Sequence, residues 1–204
     1  MRARILFTLA FLLLWVAPVS PSDNEAVLDG LRKAAKDIHS VSADFVQRKK
    51  LEMFDEVMIS KGRLALVKPD RLRWEYLEPV ASGFALKGGK GRRWNEMIGR
   101  MDDFDIRQDP VMQVIVDQLL AWTNADLERM SRDFTLVVAG SEPVQLVLRP
   151  RVPAVGGFIE RIAIRYAADK RSIQRVEVME PGGDSTQLDF QNVRINTPLA
   201  EDLF

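Results

Sequence analysis

From Ser42 to Ile195 apolar and polar residues alternate in short runs with a period of two, the signature of strands that grease one face and wet the other. The stretch Gly62 to Pro79 shows it most clearly. Leu64, Leu66, Leu72, Trp74 and Tyr76 fall at alternating positions, with Arg63, Arg71, Arg73 and Glu75 between them. The pattern predicts strands at Ser42 to Arg48, Met53 to Val67 (one long or broken strand), Arg71 to Leu77, Gly83 to Lys87, Arg92 to Ile98 and Met101 to Ile106. A second set is expected at Phe134 to Ala139, Val144 to Leu148, Phe158 to Ala167, Ile173 to Glu180 and Thr186 to Ile195. Turn residues separate them, among them Lys68-Pro69-Asp70, Gly88-Gly89, Gly140-Ser141 and Gly182-Gly183. So many consecutive short strands predict a large antiparallel meander, which must curl.

Two segments carry helical spacing instead. Asn24 to Ile38 places Val27, Leu31, Ala34, Ala35 and Ile38 on one face. Asp109-Pro110 opens a second helix, Val111 to Thr123, with Met112, Ile115, Leu119 and Trp122 in one stripe and Val111, Val114 and Val116 beside it. Polar residues are so few there that the helix wants burial nearly all round. A short second turn over 124–130 follows, and the pair reads as a plug or lid inside the curled sheet.

The register of the hairpin around Lys68 depends on loop parity. An even loop puts Leu72 and Trp74 on the face of Ala65 and Val67; an odd loop puts them with Leu64 and Leu66, and gathers the charges opposite. The odd loop segregates better and is preferred. Tyr76 then lies beside Gly62, where the missing side chain leaves room for an aromatic ring or something else.

The N-terminus stands apart. Arg2 and Arg4 precede an apolar run from Ile5 to Val16 that is too short to span a bilayer, followed by Ala17, Ser20 and Ser22. Residues 1–22 are read as a cleaved secretory signal and 23–204 as a single domain, which places the protein in the periplasm. The chain has 204 residues, with 29 basic and 29 acidic side chains, so no global field draws nucleic acid or an anionic membrane. It has no cysteine, hence neither disulfides nor thiol chemistry.

Candidate chemistry is thin. His39 is the only histidine, so any Ser-His-Asp triad must use it, and its place at a helix end reads as a capping or surface residue. Asp102, Asp103, Asp105 and Asp109 lack the spacing and central glycine of a calcium loop. Gly88-Gly89-Lys90-Gly91 is followed by a strand, not by the helix a phosphate loop needs. No metal or cofactor is expected. What remains is an excess of large apolar residues in stripes, which by periodicity alone serve an ordinary core as well as a guest.

The motifs in order resemble the LolA-type family of periplasmic outer-membrane lipoprotein carriers. An exported helix leads into Ala43 to Gln47, similar to the family's Phe-x-Gln strand. Gly62 to Tyr76 is similar to its Gly-x-Leu-x-Leu-x-basic-Pro-x-x-apolar-x-Trp hairpin, and Phe84 to Trp94 resembles the next one. The last strands, Gly183 to Phe204, and the apolar helix pair also fit. The resemblance implies a mainly β fold with helices (α+β): a curled antiparallel sheet forming an incomplete β-barrel under a helical lid, with no catalysis. It implies that Leu64, Leu66, Leu72, Trp74, Tyr76, Phe84, Leu86 and Trp94 bind acyl chains from the sheet. Met112, Ile115, Leu119 and Trp122 would bind them from the lid, with Lys68 as lid latch where arginine is usual. The implied partners are lipoprotein acyl chains or another lipid, an inner-membrane ABC-type release complex and an outer-membrane lipoprotein receptor; nucleic acid is not expected, and the protein is read as a monomer. The alternatives are a carrier for another lipid, or a periplasmic sensor or interaction module of the same fold. Hiding three chains of roughly fifteen CH₂ groups at about 0.8 kcal/mol each totals about 35 kcal/mol, beyond the practical affinity limit of ~20. A carrier that releases its cargo must therefore shield it partly, with the lid competing for the same surface.

Overall fold

The structure, a computed structural model, describes residues 21–123 and 126–204. An N-terminal helix α1 (Pro21–Ala35) leads into strands β1 (Ser40–Lys50), β2 (Val57–Val67), β3 (Arg71–Glu78), β4 (Ser82–Lys87), β5 (Lys90–Asn95) and β6 (Arg100–Asp105). Two helices follow, α2 (Pro110–Thr123) and α3 (Leu127–Asp133), then β7 (Phe134–Ser141), β8 (Val144–Pro150), a short α4 (Pro153–Gly156), β9 (Arg161–Tyr166), β10 (Ile173–Met179) and β11 (Ser185–Ile195). Among the described residues these strands make one 11-stranded sheet in the order β6-β5-β4-β3-β2-β1-β11-β10-β9-β8-β7. Every pairing is antiparallel. The sheet does not close: β6 and β7 are free edges, and the chain passes from one edge to the other through α2 and α3.

The loop between β2 and β3 is odd. Val67 pairs with Arg71, so Leu66 faces Leu72, Leu64 faces Trp74 and Gly62 faces Tyr76. The charges collect on the other face, as segregation demands. The ring that occupies the room over Gly62 comes from Phe45 on β1, which pairs with that glycine. A Cβ there would stand 2.3 Å from the Phe45 ring and 2.2 Å from the Glu75 carbonyl oxygen.

One face of the sheet is apolar along nearly every strand, and α1, α2 and α3 complete its core. Leu31, Ala35 and Ile38 meet Leu64, Leu66, Leu146 and Ile164 in the same buried cluster as Met112, Val116 and Met130. The junction between α1 and β1 is pinned by Asn196, whose left-handed backbone (φ 57°) follows β11. Its side chain accepts N–H groups of His39 (2.7 Å) and Ser40 (3.3 Å) and donates to the Asp37 carbonyl (2.7 Å).

Several boundaries differ from the sequence pattern. β2 starts at Val57 because residues 51–56 form the hairpin connection. β5 stops at Asn95, whose side chain accepts the Met97 N–H and starts a 3₁₀ turn that ends at Gly99 (φ 59°). β9 starts at Arg161 because the apolar residues before it belong to the loop after α4, an element the period-two pattern does not show. Residues 1–20, the greater part of the expected signal segment, lie outside the described residues.

Candidate functional site

A cavity of about 760 Å³ lies between the sheet and α2. Its size falls within the range of about 300–1,000 Å³ that holds small apolar ligands. Trp74, Tyr76 and Phe84 from β3 and β4 form one wall, and Met112, Leu119 and Trp122 from α2 form another. Ile162, Val178 and Leu188 supply a third wall from β9, β10 and β11. Polar groups gather toward one end: Gln47, Ser82, Asn95, Arg93, Arg100 and Asp102.

The wall is stiff because its aromatics hold one another. Phe45 stacks on Trp74 with centroids 4.3 Å apart and meets the Tyr76 ring edge-on at 5.4 Å. Phe190 closes the cluster at 6.4 Å from both Phe45 and Trp74. The Tyr76 hydroxyl donates to Gln47 Oε1 at 2.8 Å, and burial pushes its phenol pKa up. The Trp122 indole nitrogen is buried with no acceptor among the described residues.

The expected contact residues divide in three. Trp74, Tyr76, Phe84, Met112, Leu119 and Trp122 line the cavity. Leu64, Leu66, Leu72 and Leu86 share the concave face but are buried core, and the cavity wall is made without them. Trp94 borders the cavity, yet it pairs with Gly83, and its ring lies 4.6 Å from the Arg73 guanidinium, which alternates to the outer face. The Ile115 side chain lies outside the described residues. Phe45 and the third wall continue the same alternation, in β1 and in β9 to β11; the resemblance had drawn attention only to the first hairpins and the lid.

The acidic cluster is also resolved by the sheet. Asp103 bonds Arg92 across β5 and β6 at 2.9 Å, and Asp102 pairs with Arg93 and Arg100. Asp105 accepts both the backbone and the guanidinium of Arg107, which holds its carboxyl down at about 2. Asp109 caps α2, accepting the Met112 N–H at 3.1 Å. His39 is exposed, and among the described residues no group of His, Asp or Glu is arranged to hold a metal.

The family profile described as outer membrane lipoprotein carrier protein LolA matches residues 36–204. The chain belongs to the LolA family. No curated protein matches it individually. Among solved structures, an uncharacterized conserved protein from Thermus thermophilus superposes with a TM-score of 0.54 at 12% identity, covering 87% of this chain and 89% of that one. The MucA/MucB complex of Pseudomonas aeruginosa gives 0.51 at 14% identity, covering 88% of this chain and 59% of that one. A LolA superfamily protein from Nitrosomonas europaea gives 0.42 at 10% identity, covering 89% and 96%. At such identities the likeness of the first two is one of fold alone.

The LolA-family expectation that Lys68 latches the lid meets a different arrangement. The Lys68 ammonium donates to the Ala35 carbonyl at the C-terminus of α1, at 3.4 Å, where a helix end favours a cation. Desolvation lowers its pKa. Among the described residues the sheet reaches the start of α2 through an ion pair from Arg93 Nη1 to Asp109 Oδ2, at 3.0 Å, from the concave side of β5 to the helix N-cap, while Asp117 within α2 pairs with Arg129 of α3. Arg93→Met should therefore loosen the first turn of α2. Both side chains are partly exposed, so the loss is about 1 kcal/mol at most. Amide exchange over 112–116 is expected to quicken about fivefold in Arg93→Met and to stay unchanged in Lys68→Met; the opposite ranking would support Lys68 as the latch.

Proposed function

We propose that this protein is a non-catalytic periplasmic carrier that shields the acyl chains of a lipoprotein, or of another lipid, in the cavity between its sheet and α2. The observation that supports this reading most is the wall itself: aromatic and aliphatic side chains from both the sheet and a helix border a ready cavity. Its volume suits part of a multi-chain lipid, so a full cargo has to displace α2, and the apolar lining of that helix makes lid and guest competitors. The buried Trp122 N–H, without an acceptor among the described residues, suits an ester carbonyl, because an unpaired buried donor costs about 1–3 kcal/mol. In the LolA-type role the cargo comes from an inner-membrane ABC-type release complex and passes to an outer-membrane receptor, and no cofactor takes part.

The test combines lipid analysis with a blocked cavity. Mass spectrometry of the protein isolated from its own cells should find bound acyl lipid, and a fluorescent fatty acid should bind and be displaced by a lipopeptide. Val178→Trp, which fills the third wall from a half-buried position, should weaken the probe at least tenfold with the melting temperature nearly unchanged. Protein free of lipid that ignores the probe, or a Val178→Trp variant that binds it normally, would leave the sensor or interaction-module reading in its place.

A further inference from the structure

The strand register brings the ends of β1, β3, β5 and β10 and the starts of β2, β4, β6 and β11 to one end of the sheet. The β8–β9 connection lies there too, since β9 begins opposite the end of β10. Ser82, Asn95, Ile98 and Arg100, which border the cavity, sit at these strand ends, so this end is its mouth. Among the described residues every exposed large apolar side chain except Val137 is found here. Met53 (81% exposed) and Phe54 (55%) cap the β1–β2 hairpin. Met97 (73%) and Ile98 (65%) cap β5–β6, and Phe158 (77%) stands in the β8–β9 loop.

The β1–β2 hairpin also reaches past its neighbour. The β3 pairing ends at Lys61 with Glu78, so residues 57–60 have no partner strand on that side. Three consecutive cross-strand pairs at its base each join a basic residue to an apolar one: Arg48 with Ile59, Lys49 with Met58 and Lys50 with Val57. Glu52, Asp55 and Glu56 balance those three charges within the same hairpin. A folded protein sheds apolar surface of this kind unless it has a use, and concentration around a single opening marks a docking site.

We propose that the mouth docks on a lipid bilayer, with the tips at Met53-Phe54, Met97-Ile98 and Phe158 sinking into its interfacial layer. The apolar groups sit on three separate loop tips around an opening, a shape that meets a soft surface without having to match one rigid partner. The charges at the main tip cancel, which matches a zwitterionic headgroup layer rather than an anionic one. The mouth carries a polar rim that includes Ser82, Asn95 and Arg100, and behind it the cavity wall is apolar, so a docked mouth brings acyl chains to that wall with only the rim between bilayer and cavity. Met and Phe at a loop tip suit this interface, and of the basic side chains just behind them Arg48 and Lys49 are held by Asp189 and Glu180, which leaves Lys50 to reach toward headgroups.

The chain has no cysteine, so one introduced thiol takes one label. An environment-sensitive fluorophore on Phe54→Cys, Met97→Cys or Phe158→Cys of the full chain, without cargo, should brighten several-fold on adding phosphatidylcholine vesicles. The same label on Asp70→Cys, in the turn at the opposite end, should not respond. The signal should persist at about 1 M salt, where the Debye length is ~3 Å. Met53→Ser with Phe54→Ser should cut the Met97→Cys response at least tenfold. Equal responses at Asp70 and the rim, no response at any site, or a response that needs anionic lipid and vanishes in salt would overturn the proposal. Because the vesicles are offered to the empty protein, failure here leaves cargo binding untouched, and failure of cargo binding leaves this result standing.

Discussion

Gly62→Val is expected to cost about 3 kcal/mol or more, near the upper end of what overpacking does to a core. For a domain of this size that corresponds to a fall of roughly 6–12 °C in melting temperature. The new Cβ would collide with the Phe45 ring at 2.3 Å and the Glu75 carbonyl at 2.2 Å. Neither neighbour has room to give: Phe45 is 1% exposed and held by Trp74, Tyr76 and Phe190, and the carbonyl belongs to the sheet backbone. Gly140→Ala is the control, because a Cβ there meets nothing closer than 3.5 Å. Thermal unfolding of the two variants checks the contrast, and a Gly62→Val protein as stable as the parent would show that β2 and β3 can part without cost.

Trp74→Ala should be comparably severe for a different reason. Removing a buried tryptophan typically costs about 3–5 kcal/mol, since the void left behind collapses only in part. Here the indole is 6% exposed and central to the aromatic cluster, so Phe45, Tyr76 and Phe190 all lose a partner. Denaturant unfolding measures that loss. The same truncation enlarges the cavity rather than blocking it, so a fatty-acid probe should still bind to the protein that remains folded. A cost under about 1 kcal/mol would mean that the cluster does not bear on the sheet's stability, and lost probe binding in a folded sample would mean that guests need this ring.

The strands and the two main helices are legible in the sequence because alternation and helical spacing report burial directly. The register at Lys68-Pro69-Asp70 follows from the same logic: only an odd loop keeps Arg71 and Arg73 off the face of Leu64 and Leu66. The site was harder. Leu64, Leu66, Leu72 and Leu86 carry the same alternation as Trp74 and Phe84, and nothing in a period of two tells a cavity wall from the core beneath it. Trp94 follows a turn with three glycines, and its face is set by pairing with Gly83, which the composition of the hairpin does not announce. Lys68 and Arg93 are both basic residues close to turns. Which of them reaches the start of α2 depends on where α1 ends and where Asp109 stands, and these are facts of packing between segments far apart in the chain.

The two free edges, β6 and β7, have a consequence beyond leaving the sheet open. A closed barrel of given strand number and stagger has a fixed girth. An open one can widen or narrow by changing its curl while every backbone ladder stays intact. In this chain α2 and α3 are the covalent bridge between those edges. The distance between the two edges is therefore tied to the span of that bridge, and the sheet cannot spread beyond it unless α2 and α3 shift or lengthen.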